Sequence, residues 1–252
     1  MRPRRVIFLG GNGHCAARLA AARVVLTGSD VELVDIPYPG FEGRPRATDL
    51  ETFLGSVAGE VAAAATGEGR RVVYATGIGG LVALCLRARS QVAEVPLILQ
   101  APVLWGLERR IMPRLMRLGL AQAAVSRVFA SNLFQRHFVR RHFMRPSSRK
   151  MRAAFFEGYA NCAALPDLFA WFTPTLLRPL EEELAARPAA LQGVTIWWGG
   201  RDRVVTPREL RWTEDALDTK WPVSFFPGWG HYPMIDEPEA WVRAVDRHSA
   251  RA

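Results

Sequence analysis

Asp202 and His231 are the residues of this 252-residue chain best suited by type and surroundings to proton-transfer chemistry. A histidine can take and return a proton near neutral pH. A carboxylate on its second ring nitrogen fixes the tautomer and stabilises the imidazolium. Asp202 stands in Gly199-Gly200-Arg201-Asp202-Arg203-Val204-Val205, just after an apolar run that ends at Trp198. His231 stands in Gly228-Trp229-Gly230-His231-Tyr232-Pro233, after a second run that ends at Phe226. Two glycines just before the histidine, Gly228 and Gly230, predict a flexed loop that can hold it above a sheet edge.

A third stretch, Tyr74-Ala75-Thr76-Gly77-Ile78-Gly79-Gly80-Leu81, has the pattern of a strand, a tight turn and a helix. Such turns either cradle a phosphate or lift a nucleophile into a pocket. An elbow of the second kind needs small residues two before and two after its tip, because strand and helix meet there at close range. With Gly77 as the tip, Ala75 and Gly79 satisfy this, and Gly80 lets the helix pack on the strand. With Thr76 as the tip, the neighbours are Tyr74 and Ile78, which are too large. The tip is therefore Gly77, which has no side chain. The Thr76 hydroxyl is expected to point away from the pocket, and Cys85, two turns into the helix, is expected in the core.

The first glycine turn, Gly10-Gly11-Asn12-Gly13, admits two readings. Gly11-x-Gly13-x-x-Ala16 with Asp35 further on is the spacing of a dinucleotide fingerprint, with a pyrophosphate at a helix N-terminus and a ribose hydroxyl on the acid. Glycine is common after any first strand, so this signal is weak alone. The other reading makes the turn a wall of the same pocket as Gly77, lined by Gly11, His14, Thr76 and Trp229. A Cys15–His14 pair is the less favoured alternative there.

The elements that must position these residues follow from apolar runs and breakers. Strands are predicted at Val6–Leu9, Val31–Asp35, Arg71–Tyr74, Val95–Gln100, Val194–Trp198 and Val223–Phe226, the last three read as buried. Between them lie helical stretches at His14–Leu26, from a Thr48-x-x-Glu51 capping box onward, and at Ile78 to about Arg89. A last helix begins at Glu237-Pro238-Glu239, with Ala240, Trp241 and Val245 as its packing face. Apolar strands alternating with helices imply a mostly parallel sheet covered on both faces.

The segment 105–191 breaks this rhythm. Val125, Val128, Phe129, Leu133, Phe134 and Phe138 sit at helical spacing, with Arg136, Arg140, Arg141 and Arg145 among them. The division read from this is a core of 1–104 and 192–252 with a helical cap inserted at 105–191, one domain overall.

The charge is distributed in the same uneven way. The net charge is +9, with 33 basic and 24 acidic residues. Twelve of the basic residues and a single acid, Glu108, fall between Val103 and Arg152. A high-GC genome explains arginine over lysine, but not why the charge clusters. An amphipathic helix packed on the sheet is the simplest account. Arginines clamping an anionic substrate group are a sharper one, and peripheral membrane contact through the basic cap is open to the same residues but not expected. Nucleic acid is not expected, because the charge is confined to the cap and no binding motif accompanies it.

Other classes are excluded by composition. Hydrophobic residues at 49% and charged residues at 23% describe a globular chain. There is no apolar run of about 18 residues to span a membrane. Cys15, Cys85 and Cys162 form neither a disulfide framework nor a zinc pattern, which favours a reducing, cytoplasmic setting. His137 and His142 are five apart on a helix, the wrong spacing for one metal. No metal and no cofactor are expected.

Taken together, IFLGGNG, VELVDIPYPGFEGRP, the Gly77 turn, WWGGRDRVV and GWGHYPMIDEPEAW resemble the α/β-hydrolase superfamily from Val6 to about Ala244. The resemblance implies a central mostly parallel sheet with helices on both faces and an inserted helical cap that shapes the pocket. It implies His231 as general base, Asp202 as its orienting carboxylate, and backbone N–H groups of Asn12 and Ile78 as an oxyanion hole. The family nucleophile falls on Gly77, where no acyl-enzyme can form. Three expectations follow: acid–base chemistry on a small substrate, for which the arginines favour an anionic acyl or carbonyl compound; a non-catalytic protein that binds a ligand or partner; or an esterase or thioesterase that has lost its serine. An open cavity between Gly77, His231 and the cap favours an enzyme, and a plugged one a non-catalytic protein.

Overall fold

A computed structural model describes residues 4–89, 95–111, 114, 124, 127–129, 131–143 and 149–251. Strands form where apolar runs are unbroken: β1 (Arg4–Leu9), β2 (Val31–Asp35), β3 (Arg70–Thr76), β4 (Leu97–Gln100), β5 (Val194–Gly199) and β6 (Val223–Phe226). They pair in the order β2-β1-β3-β4-β5-β6, every pairing parallel. Val6–Leu9 and Val72–Ala75 are buried along their whole length, as strands covered on both faces must be.

The helices are α1 (Ala20–Leu26), α2 (Leu50–Ala64), α3 (Gly79–Ala88), α4 (Asn132–His142), α5 (Arg149–Ala160), α6 (Leu165–Trp171), α7 (Pro174–Ala185), α8 (Pro207–Ala216), α9 (Pro233–Asp236) and α10 (Pro238–Arg251). α3 packs on β1, β3 and β4 beside α2 and α7, while α10 packs on β1 and β3 beside α1 and α9. Trp241 of α10 is fully buried edge-on against Phe8 and Tyr74. Its truncation to alanine costs about 3–5 kcal/mol. The described part of 105–191 holds α4 to α7 and no strand, and its aromatic side chains Phe129, Phe138, Phe155 and Tyr159 pack on one another. Val125 and Arg145 lie outside the described residues.

Three local expectations are corrected. The capping box at Thr48-x-x-Glu51 does not form: Asp49 caps α2, its Oδ1 accepting from Thr52 N–H at 2.7 Å, while Glu51 pairs with Arg89 at 2.6 Å. A short aspartate reaches the N3 amide from the cap position as well as threonine does, and Glu51 finds a stronger partner in a guanidinium. His14–Leu26 is not one helix but a 3-10 turn at Ala16–Leu19 followed by α1. β6 is an edge strand rather than a buried one, and Val223 and Phe225 are exposed. No helix among the described residues is long and apolar enough to cross a membrane.

Candidate active site

In a parallel sheet the strand C-termini share one edge, and ligands collect there. The loops after β1, β3, β5 and β6 bring Asn12, Gly77, Asp202 and His231 to that edge. Asp202 sits in the turn closed by its own N–H on Gly199 O at 3.1 Å. Gly199 is required there, because a Cβ would lie 2.5 Å from Trp229 O, on the loop that carries His231.

His231 Nδ1 lies 2.9 Å from Asp202 Oδ2, and both side chains are buried. The second carboxylate oxygen, Oδ1, accepts from the N–H groups of Val204 at 2.7 Å and Val205 at 3.1 Å. Burial by itself pushes the Asp202 pKa up. The charge of His231, its hydrogen bond and the two backbone donors outweigh that and hold the carboxyl below its ordinary value. Asp202 is thus a fixed anion whose orientation is set from both sides.

Gly77 occupies the tip of the turn between β3 and α3 with φ +56°, a left-handed conformation that favours glycine. Its carbonyl accepts from Gly80 N–H at 3.2 Å and Val103 N–H at 3.1 Å, tying the turn to the exit of β4. A Cβ at Gly77 would touch only Gly11 Cα, at 3.6 Å, an ordinary contact. Two residues on, Gly79 is essential for packing, since a Cβ would lie 2.5 Å from Leu9 O. The backbone N–H groups of Asn12 and Ile78 take no part in closing their turns, which use His14 N to Gly11 O and Gly80 N to Gly77 O.

These pieces share a cavity of about 620 Å³. Its floor is Gly11, Asn12, Thr76, Gly77 and Ile78, and one wall is Val204, Glu209, His231 and Tyr232. The 105–191 segment supplies the facing wall, with Phe129, Phe134, Phe138, Tyr159 and Phe169. The exposed lining residues Arg109, Ile111 and His137 mark the opening. The cavity is open rather than plugged by side chains of that segment. A pocket of this size, largely apolar with a few converging polar groups, suits a ligand with an apolar body and one reactive polar end.

Of the residues expected around the pocket, Gly11 and Thr76 line it, while His14 and Trp229 are not among its lining residues. His14 Nε2 is 2.7 Å from Asp35 Oδ1, and Trp229 stacks on Phe226 at 3.8 Å. The Thr76 hydroxyl is buried with no hydrogen-bond partner. The Cys15–His14 alternative fails on the same geometry: His14 is engaged by Asp35, Cys15 contacts Ala154 O at 3.4 Å, and burial raises the thiol pKa. Cys85 and Cys162, also buried, are pushed up to about 12. The dinucleotide reading loses its space as well. α5 lies on the first glycine turn so closely that a Cβ at Gly158 would be 2.3 Å from Gly13 O, and Asp35 is held by His14. No group of three or more His, Cys, Asp or Glu suited to a metal occurs among the described residues.

Two contributors escaped the sequence reading. Arg110 donates to Glu209 Oε1 at 2.7 Å and to Val204 O at 3.0 Å, bracing the loop after Asp202. Thr206-x-x-Glu209 was a legible capping box, with Glu209 Oε2 accepting from Thr206 N–H at 2.8 Å, but the arginine is remote in sequence. Arg18, also buried, donates to Asn12 O at 2.9 Å and lies over the rings of Phe155 and Tyr159, 4.1 and 4.9 Å from their centroids. Nothing in its local sequence signals that role.

No curated protein matches this chain. Among solved structures, a membrane phospholipase A is 22% identical with a TM-score of 0.64, over 100% of this chain and 80% of that one. The haloalkane dehalogenase DbeA from Bradyrhizobium elkani is 20% identical with a TM-score of 0.67, over 98% of this chain and 90% of that one. At such identities the likeness is one of fold. A family model described as "Alpha/beta hydrolase family" matches residues 6–245, nearly the whole of the sheet and its loops, and the chain belongs to that family.

Proposed function

We propose that this protein is an acid–base enzyme that works without a covalent nucleophile, on an acyl or carbonyl substrate with an anionic group. One observation carries the reading: a buried His231–Asp202 pair and a side-chain-free Gly77 border the same open cavity. With the Nδ1 proton committed to Asp202, Nε2 of His231 is the atom that exchanges protons. In hydrolysis it takes a proton from water as the oxygen attacks the carbonyl. The resulting oxyanion is met by the N–H groups of Asn12 and Ile78, and the proton passes to the leaving group as the intermediate collapses. The same base and anion donors serve lyase, isomerase or decarboxylase chemistry through an enolate. Phospholipase and dehalogenase relatives in fold show that this scaffold hosts several leaving groups.

The test is a panel of aryl esters, acyl thioesters, lactones and β-keto acids, read by mass spectrometry with wild type and His231→Ala. Turnover of at least one member that His231→Ala loses supports the reading. Ligand binding that survives His231→Ala, with no turnover of any member by wild type, makes the protein a binder instead.

A second reading, an esterase whose serine has been lost, is favoured by the vacant contact shell at Gly77 and its retained left-handed φ. Gly77→Ser should then gain an acyl-enzyme adduct with short aryl esters. A folded variant with no adduct counts against it.

A further inference from the structure

Large apolar side chains exposed one at a time on a surface mean little, but their clustering does. Among the described residues six are strongly exposed, and three of them, Ile111, Val128 and Leu133, fall in one short segment. Ile111 lines the cavity, and Val128 and Leu133 each stand next in sequence to a lining phenylalanine, Phe129 and Phe134. Nothing acidic occurs from Arg109 to Phe156. Arg114, Arg127, Arg136 and Arg140 are exposed in the same segment.

The geometry of α4 orders these residues. Phe134 and Phe138 turn inward onto the aromatic cluster, and Ser131 caps the helix by accepting from Phe134 N–H at 3.3 Å. Leu133, Arg136, His137 and Arg140, at i, i+3, i+4 and i+7, make the outward face. A solvated helix face has no use for a leucine that is 82% exposed between arginines.

The geometry points to a membrane-docking surface: Ile111, Val128 and Leu133 enter an anionic bilayer interface while Arg114, Arg127, Arg136 and Arg140 meet its phosphates. Aliphatic side chains flanked by arginines match a lipid interface, which rewards both. A nucleic acid would reward the arginines alone. Docked this way, the cavity opening at Ile111 and His137 faces the lipid. The inference stands on the surface alone and does not require His231 to be catalytic.

Co-sedimentation of the full-length protein with phosphatidylcholine vesicles, with and without phosphatidylglycerol, tests it. Wild type should partition onto the phosphatidylglycerol vesicles and be released by salt. Ile111→Asp with Leu133→Asp, both surface changes, should weaken partitioning on the order of tenfold or more at unchanged circular dichroism and Tm. Arg136→Glu with Arg140→Glu should do the same. His231→Ala should bind like wild type, which separates this inference from the catalytic one. Failure to sediment with phosphatidylglycerol vesicles overturns it. So does wild-type partitioning of the aliphatic double variant, or equal, aliphatic-independent binding to a DNA duplex.

Discussion

Among the described residues there are two buried histidine–aspartate pairs, and of the two histidines His231 is the one that borders the large cavity with Gly77. His14 and Asp35 are 2.7 Å apart, closer than His231 and Asp202 at 2.9 Å. Both pairs sit at C-terminal ends of neighbouring parallel strands or the loops after them. The differences lie in what surrounds them. Asp202 has its second oxygen saturated by two backbone donors, whereas the second oxygen of Asp35 faces Arg23 at 3.6 Å. His231 borders the large cavity with Gly77. His14 is wedged beneath Gly10, where a Cβ would fall 2.1 Å from the imidazole Cγ, with Phe8 5.2 Å away, and it borders a separate pocket of about 210 Å³. A short His–carboxylate bond is therefore no sign of catalysis by itself. What distinguishes His231 is the cavity it borders together with Asn12, Gly77 and Ile78, and the proposed function rests on that difference.

Exchanging the two histidines breaks or sharpens that contrast most strongly. His231→Ala is expected to lower kcat by about 10³-fold or more on any substrate the panel identifies, and His14→Ala by less than about twofold. Equal losses would mean that the two pairs act as one unit. At the level of the carboxylates, Asp202→Asn should lower kcat by about 10²–10⁴-fold with KM little changed, because the ring loses its tautomer preference. Asp35→Asn should leave kcat in place. Stability should not separate the two pairs as activity does: His14→Ala, by leaving a mostly buried carboxylate short of a partner, should also cost about 1–3 kcal/mol in urea unfolding.

The smallest effect is in pH dependence. The folded-state pKa of Asp202 lies below its unfolded value of about 3.9, so its contribution to stability is present above that value and lost as pH falls through the folded one. The Tm advantage of wild type over Asp202→Asn should thus shrink as pH drops below about 4. An advantage that persists undiminished in strong acid would show that the carboxyl is not depressed.

Much of this was legible because it depends on short sequence spacings. The small-residue register around Gly77, the glycines just before His231 and the order of tip, acid and histidine are local patterns whose backbone consequences are nearly independent of the rest of the chain. The misreadings were of another kind. Asp49, not Thr48, caps α2 while Glu51 pairs with Arg89, and β6 is an edge strand with no strand beyond it among the described residues. His14 follows a glycine turn that lines the pocket, but β2 brings Asp35 alongside and the ring turns to it.

The sequence by itself determined the sheet, the family resemblance and the absence of a side chain at the turn's tip, since periodicity and glycine placement encode strands, helices and close approaches directly. Only the tertiary structure decided which histidine borders the cavity with Gly77, that Arg110 braces the Asp202 loop, and that Ile111 at its mouth and Leu133 on α4 stand exposed. Those facts depend on contacts between residues far apart in the chain, and no local pattern specifies them.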